Sequence, residues 1–344
     1  MTIKDIAALS GYAVGTVSRV LNGSPNVSDE ARRKILAVVQ AHDFRLNNNA
    51  KHLKQQSSSG VAIIVKGTEN MLFASIIERL QGRIKEKGFP VLVYYIDEDD
   101  NEVEQAVQVC QERRPQGIMF LGSNLANFRS RFSTVGIPCI LVTNSAAELP
   151  FENLSSVGTD DADAADHAIE HLIRLGHRQI GILGGRVWDD ANAAASNRYV
   201  GALRAFARNG IAFDPARQFA AARFAMQSGY EAMQVLLEKM PELTAVFAMS
   251  DVMALGAVRA LQDHGRRVPE DISVIGFDGI ELGRYVTPRL TTICQYGERI
   301  ADRSVELLLR RIDTFTEAVN EIVPFDLIPG ESVKRVSPEE IPSK

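Results

Sequence analysis

Hydrophobic positions along the chain follow two periods. Over residues 3 to 42 they recur with helical spacing in three short stripes. Ile3, Ile6, Ala7 and Leu9 form the first, Val14, Val17, Val20 and Leu21 the second, and Ala31, Ile35, Leu36, Val38 and Val39 the third. The third stripe follows Ser28-Asp29-Glu30, a helix start signal, and Gly11 and Gly23 mark the breaks. Two short helices around a glycine-containing turn, braced by a third, predict a small all-α helix-turn-helix head. From Val61 onward the period shortens. VAIIV, PVLVYY, GIMFL and IPCILV alternate with helical stretches at 71–87, 101–112 and 125–134, and after 158 the scheme repeats. Helices at 161–175, 196–209, 226–239 and 251–264 then accompany the strands IGILGG, TAVFAM and ISVIGF. Short β-branched runs between amphipathic helices predict an α/β core of parallel sheets covered on both faces, with enough strands for two doubly wound lobes. LTTIC at 290–294, the long helix 297–312 and EIVPFDLI receive no sheet of their own and are expected to cross back between the lobes. Such lobes form a cleft, and sheets of this kind bind ligands at the carboxyl ends of their strands.

Between the two patterns lies RLNNNAKHLKQQSSSG, whose serine run cannot bury a core. It reads as a linker with a short helical stretch at 48–54. Leu53 is its conspicuous apolar residue. A lone exposed leucine needs no explanation, but the neighbouring Lys51 and Lys54 give it a possible DNA-facing role. The expected division is a DNA-binding head at 1–45, a hinge at 46–60, a first lobe from 61–158 and 290–322, and a second lobe from 159–289 and 323–344.

Charge changes this picture more than composition does. Residues 1–60 hold eight basic and four acidic side chains, a formal +4 in a chain whose total is −5. A basic head on an acidic body points the head at a polyanion, although a small solvated helical domain can reach this charge by chance. The stretch TVSRVLNG sharpens the choice. Thr16, Ser18 and Asn22 offer hydroxyl and amide groups to phosphates, and Arg19 can pair bidentately with a guanine edge; its alternative is a surface ion pair.

Enzyme signatures are weak. GxxxxGK[ST], GxSxG and HExxH do not occur, and GILGG lacks the GxGxxG spacing. His167 and His171 stand four apart with no third ligand at matching spacing, which favours a helix-surface pair over a metal site. Cys110, Cys139 and Cys294 are widely separated and lie in or beside apolar runs, as free thiols in a reducing compartment would. The amino terminus has no apolar signal core, and no run approaches the ~18 apolar residues of a membrane span. A cytoplasmic protein without enzymatic activity, cofactor, metal or membrane partner is expected.

In order along the chain, TIKDIA, TVSRVLNG, VS at 27–28, AKHL, HLIRLGHRQIGILGG, NRYVGALRAF, SDVMALGA, VPEDISVIGFDG and PRLTTI resemble a LacI/GalR-family transcription regulator. The resemblance covers nearly the whole chain. It implies a helix-turn-helix head, a hinge helix and a two-lobed core like that of periplasmic sugar-binding proteins. Its functional implication is a homodimeric repressor on palindromic operator DNA, controlled by a small effector, often a carbohydrate. By the same resemblance Val14, Gly15 and Arg19 face base edges, Thr2, Thr16, Ser18 and Asn22 position phosphates, and Leu53 wedges into the minor groove, kinking the DNA. Three positions depart from the family pattern. Ala13 stands where a serine N-cap is usual, a loss of ~1 kcal/mol; Gly15 costs a helix up to ~1 kcal/mol; and Leu46 replaces the proline before the hinge.

In the core the resemblance assigns effector contacts to Arg198, Phe224, Ser250 and Asp278. Arg198 would clamp a polar group and Asp278 would accept from two vicinal hydroxyls. Phe224 would stack on a sugar face, and Ser250 replaces the commoner asparagine or threonine beside Asp251. Each has a structural alternative, Asp278 capping a loop, Phe224 lying in the core, Arg198 bridging Asp189 or Asp190. Trp188, just beyond a strand end, is a further cleft candidate with a surface tryptophan as its alternative. A transport solute-binding protein would share this core but needs export, and an α/β enzyme with an accessory head would turn its ligand over. The polar, proline-containing stretch 329–344 carries no heptad repeat, so no carboxyl-terminal tetramerisation helix is expected.

Overall fold

A computed structural model describes residues 3–21, 27–42, 60–67, 69–185, 197–314 and 316–336. The chain divides into two compact units, residues 1–58 and 59–344. The linker positions Leu46 and Leu53, and also Thr2, Asn22 and Trp188, lie outside the described residues.

The head consists of α1 (Ile3–Ser10), α2 (Val14–Leu21) and α3 (Asp29–Ala41). Gly11, at φ +72°, ends α1 in the left-handed region that glycine adopts without strain. Ser28 starts α3, its Oγ accepting from the Ala31 amide at 3.4 Å. Ile6, Ala7, Val17, Val20, Ala31 and Ile35 are buried between the helices. Leu9, Val14 and Leu36, which the apolar stripes include, are exposed. Eight-residue helices turn only about two turns toward a shared centre, so residues at the margin of each stripe stay in water.

The larger unit holds two six-stranded sheets. The first contains β1 (Val61–Lys66), β2 (Val91–Ile96), β3 (Gly117–Leu121), β4 (Cys139–Val142), β5 (Leu154–Gly158) and β11 (Asn320–Ile322), in the order β2-β1-β3-β4-β5-β11 and all parallel. The second contains β6 (Ile180–Gly184), β7 (Phe219–Ala221), β8 (Ala245–Ala248), β9 (Ser273–Asp278), β10 (Thr291–Gln295) and β12 (Phe325–Ile328), in the order β7-β6-β8-β9-β10-β12. Only the β10–β12 pairing there is antiparallel.

The connecting helices are α4 (Met71–Glu86), α5 (Glu102–Arg113), α6 (Leu125–Arg131), α7 (Asp161–Arg174), α8 (Asn197–Arg208), α9 (Pro215–Gln218), α10 (Met226–Lys239), α11 (Asp251–Asp263) and α12 (Gly297–Asp313). Alternate residues of β1 show why its run is unbroken. Val61, Ile63 and Val65 join the cluster of α4 and α12, while Ala62 and Ile64 join that of α5 and α6. A strand buried on both faces needs apolar side chains at every position. The second sheet repeats the plan, with α7 and α8 on one face and α10 and α11 on the other.

One expectation fails. LTTIC has a sheet: Thr292 of β10 pairs with Gly276 of β9 and with Ile328 of β12. The lobe boundary expected at 290 therefore shifts beyond Gln295, and the first lobe regains the chain only at α12. The strand signal of this segment is weak because its polar residues are buried by specific bonds. The Thr292 hydroxyl donates to Asp251 at 2.6 Å, and Ser332 Oγ accepts from the Thr291 amide at 2.8 Å. β5 (LSSVG) and β7 (FAA) likewise lack the β-branched apolar run that marks the other strands. In β5 the small polar residues Ser155 and Ser156 are buried, and Ser155 Oγ accepts from Arg311 at 2.9 Å.

Two helix pairs in the second lobe depend on glycine. A Cβ on Gly201 would stand 1.9 Å from the Ala162 carbonyl oxygen across the α7–α8 contact, and one on Gly256 would stand 2.0 Å from that of Met226 across α10–α11. Backbone that close cannot yield as a side chain does. Gly201→Ala is expected to lower core stability by about 1–3 kcal/mol, measured as an earlier urea midpoint, whereas Gly82→Ala, where a Cβ meets nothing within 4 Å, should leave the midpoint unchanged or raise it.

Candidate functional site

The carboxyl ends of the second sheet converge on one buried cation. Arg198 stands in the first turn of α8 and is 8% exposed. Its Nε donates to Asp161 Oδ1 at 3.2 Å, and its Nη1 donates to the Met249 carbonyl and, at 3.4 Å, to Asp278 Oδ1. Its guanidinium carbon lies 3.8 Å from the centre of the Phe277 ring. Asp161 opens α7 just after the chain leaves the first sheet, so the arginine ties the crossing segment to the ends of β8 and β9. The expected alternative partners Asp189 and Asp190 lie outside the described residues.

Asp278 is fully buried at the last position of β9, with φ +119°, a region that residues with a Cβ rarely occupy. Gln295, at the end of β10, donates from Nε2 to Asp278 Oδ1 at 2.9 Å. Asp278 Oδ2 and Gln295 Oε1, both buried, have no hydrogen-bond partner among the described residues. Two buried acceptors without donors are costly unless something supplies hydrogens. Burial raises the Asp278 carboxyl to about 6, against the pull of Arg198 and Gln295. Asp251, behind it, is raised to about 8 by burial and then by the charge of Asp278, although Thr292 Oγ1 and the Ile280 amide donate to it. Two carboxylates, the partly buried Asp161 and the buried Asp278, thus pair with the guanidinium, and the charge of buried Asp251 adds to theirs.

The other expected residues take separate places. Ser250 is buried and caps α11, its Oγ accepting from the Met253 amide at 3.3 Å. Phe224 is partly buried, packs against the cluster beneath α10 and α11, and donates its amide to Glu98 Oε2 of the first lobe at 3.3 Å. At the carboxyl ends of the first sheet, Glu102 is buried and accepts from Lys66 Nζ at 3.0 Å, the Asn124 amide at 2.7 Å and Asn127 Nδ2 at 2.8 Å. Ser123 Oγ and Thr159 Oγ1, just past β3 and β5, are buried without a partner among the described residues. Sequence reasoning missed Asp161, Gln295 and Asp251 as neighbours of Arg198 and Asp278. Only strand pairing and the lobe crossing bring them together, and no spacing in the chain announces that.

In the head, α2 carries the candidate DNA contacts. Val14, Gly15 and Arg19 are exposed and Thr16 is partly so. Arg19 Nε donates to the Gly15 carbonyl at 3.3 Å. A Cβ on Gly15 would meet nothing within 4 Å, so the glycine is not required by packing. Ala13 supplies its carbonyl to the Thr16 and Val17 amides at 2.8 and 3.1 Å but has no side chain to cap them. Nothing is described of the Ser18 side chain.

His167 sits on the surface of α7 with Nδ1 2.8 Å from the Asp163 carbonyl, and among the described residues no group of three metal-ligating side chains forms. No helix among them is long and apolar enough to cross a membrane.

Comparison with known proteins agrees in both units. Residues 2–47 match bacterial regulatory proteins of the lacI family, and residues 169–333 match the periplasmic binding protein-like domain. The chain is 33% identical over 341 residues to the HTH-type transcriptional regulator MalR of Clostridium butyricum, covering 96% of this chain and 99% of that one. It is 31% identical over 327 residues to the ribose operon repressor of Haemophilus influenzae, covering 94% and 95%. Among solved structures, the lac repressor dimer bound to operator and the anti-inducer ONPF superposes with a TM-score of 0.76 at 26% identity, covering 97% of this chain and 99% of that one.

The raised carboxyl of Asp278 has a measurable consequence. Its folded value of about 6 exceeds the unfolded value of ~3.9, so folding takes up a proton, and this group's contribution to stability falls as pH rises from about 4 through 6. Asp278→Asn cannot ionise. Its urea-derived stability relative to the natural protein should therefore improve by about 2 kcal/mol between pH 4.5 and 7.5; a difference independent of pH would mean that Asp278 is not raised.

Proposed function

Because the chain belongs to the lacI family of bacterial regulatory proteins, we propose that it represses transcription from a palindromic operator as a cytoplasmic homodimer, with affinity set by a small carbohydrate between its lobes. Its relatives are named transcriptional regulators and repressors, and it is a DNA-binding regulator of their kind, not an enzyme. One observation carries the effector reading. Asp278 Oδ2 and Gln295 Oε1 are buried acceptors without donors among the described residues, and Asp278 Oδ1 faces the Arg198 guanidinium. Vicinal hydroxyls can donate to both, and Arg198 can donate to a ring or hydroxyl oxygen. Phe224 at the rim offers an aromatic face to a sugar ring, while Ser250 acts through the start of α11. The ribose operon repressor, by its name, supports the carbohydrate class.

In the head, Arg19 would read a base edge with its terminal nitrogens, its Nε being steadied by the Gly15 carbonyl. Val14 and Gly15 would lie against the same groove. Thr16, with Thr2, Ser18 and Asn22, would hold phosphates, and Leu53 of each hinge would wedge the minor groove. The dimer reading is supported by β2. It is an edge strand, VLVYYI, with Leu92 and Tyr95 exposed, and Met71 on α4 is exposed as well. An apolar edge of that length is normally covered, and a second copy is the occupant proposed, the similar lac repressor being a dimer.

Paired variants test the scheme. Arg19→Ala should weaken operator binding about tenfold or more in a gel-shift titration while leaving carbohydrate binding by calorimetry unchanged. Asp278→Ala should abolish carbohydrate binding and leave operator affinity without ligand intact. Loss of both activities in either variant would contradict the division of labour.

A further inference from the structure

Sheet order puts β2 and β7 at the edges farthest from the segments that join the lobes. The chain crosses after β5, after β10 and after β11, and these strands lie toward the opposite edges of their sheets. Rotation about those crossings moves the β2 and β7 edges most. Just past β2 the chain reads Asp97, Glu98, Asp99, Asp100, and just past β7 stands Arg223. Arg223 Nη2 lies 2.7 Å from Asp97 Oδ1, its Nε 3.6 Å from Glu98 Oε2, and its Nη1 3.8 Å from Asp99 Oδ2. The Phe224 amide donates to Glu98 Oε2 at 3.3 Å.

Both sides are braced within their own lobes. Asp99 donates its amide to Asp97 Oδ1 and Asp97 donates its own to Asp100 Oδ2, each at 3.0 Å, while the Arg223 amide donates to Ser228 Oγ at 3.0 Å. The groups therefore meet with little further ordering.

We propose that Arg223 and the acidic loop 97–99 form a clasp across the mouth of the cleft, which holds the lobes closed and seats Phe224 at the rim. Its role in effector affinity rests on the carbohydrate reading above; the clasp itself does not. Each pair is partly exposed and weak alone, but three carboxylates converge on one guanidinium. The contact exists only where the two edges meet, so it favours the closed state and lets ionic strength shift the balance on which an effector acts. A second contact between the lobes differs in kind. Val252 and Ile280 of the second lobe join the apolar cluster of the first, and added salt does not weaken that contact.

The test is pulsed electron resonance on the full chain without ligand, with spin labels on non-canonical residues at the exposed positions 112 and 238, on α5 and α10. At about 50 mM salt the natural sequence should give a predominantly closed distance. Arg223→Gln should lower the closed-to-open ratio about fivefold, and about 1 M salt should do the same to the natural sequence but little to the variant. The charge exchange Arg223→Glu with Glu98→Arg should recover most of the closed population, which separates a clasp from general damage to the loop. Distances indifferent to both substitution and salt would overturn the clasp. No carbohydrate is present, so a failed effector reading leaves this readout intact.

Discussion

A guanidinium without water must find its partners in the protein, and around Arg198 that requirement organises the core. Its bonds reach Asp161 beside a lobe crossing, the end of β8 at Met249 and the end of β9 at Asp278, with Phe277 beneath. Removing any one partner would leave a buried charge short of compensation, a cost of several kcal/mol. The arrangement overshoots, however. Two carboxylates pair with one cation and a third lies near it, burial raises Asp278 and Asp251 to about 6 and 8, and two acceptors remain unmatched among the described residues. A packed core built only for stability would remove such groups. Retaining them leaves a capacity for hydrogen-bond donors that the described residues do not use.

The head is organised on a smaller energy scale. Its core is a handful of side chains, α2 lacks a capping side chain at Ala13, and Gly15 adds backbone entropy that packing does not require. An eight-residue helix with those costs depends on Val17 and Val20 for its place. The same economy leaves Val14, Gly15 and Arg19 on the outside. Weak intrinsic stability and an exposed face on α2 are thus two consequences of one short amphipathic pattern.

Much of this was legible in the sequence. Runs such as VAIIV and TAVFAM give the two sheets away because strands buried on two faces have no polar positions, and the expected helices between them differ from the observed ones by no more than three residues at either end. TTICQ and LSSVG escaped, since their threonines, serines and glutamine are buried by bonds to residues far along the chain, Asp251, Ser332 and Arg311 among them. The site divided the same way. Arg198 and Asp278 were found through the motifs NRYVGALRAF and VPEDISVIGFDG, whereas Asp161 and Gln295 belong with them only because one follows a crossing and the other ends a strand beside β9. The clasp was invisible for a similar reason: Arg223 and Asp97 are 126 residues apart and meet only when both sheets are built.

The most direct test of the central claim is selection of duplex DNA from a random pool by the full-length protein at near-physiological salt, where nonspecific electrostatic binding is suppressed, with and without a panel of carbohydrates. The account predicts enrichment of a palindrome, with one carbohydrate changing its recovery. Failure to enrich any palindrome under either condition would contradict it.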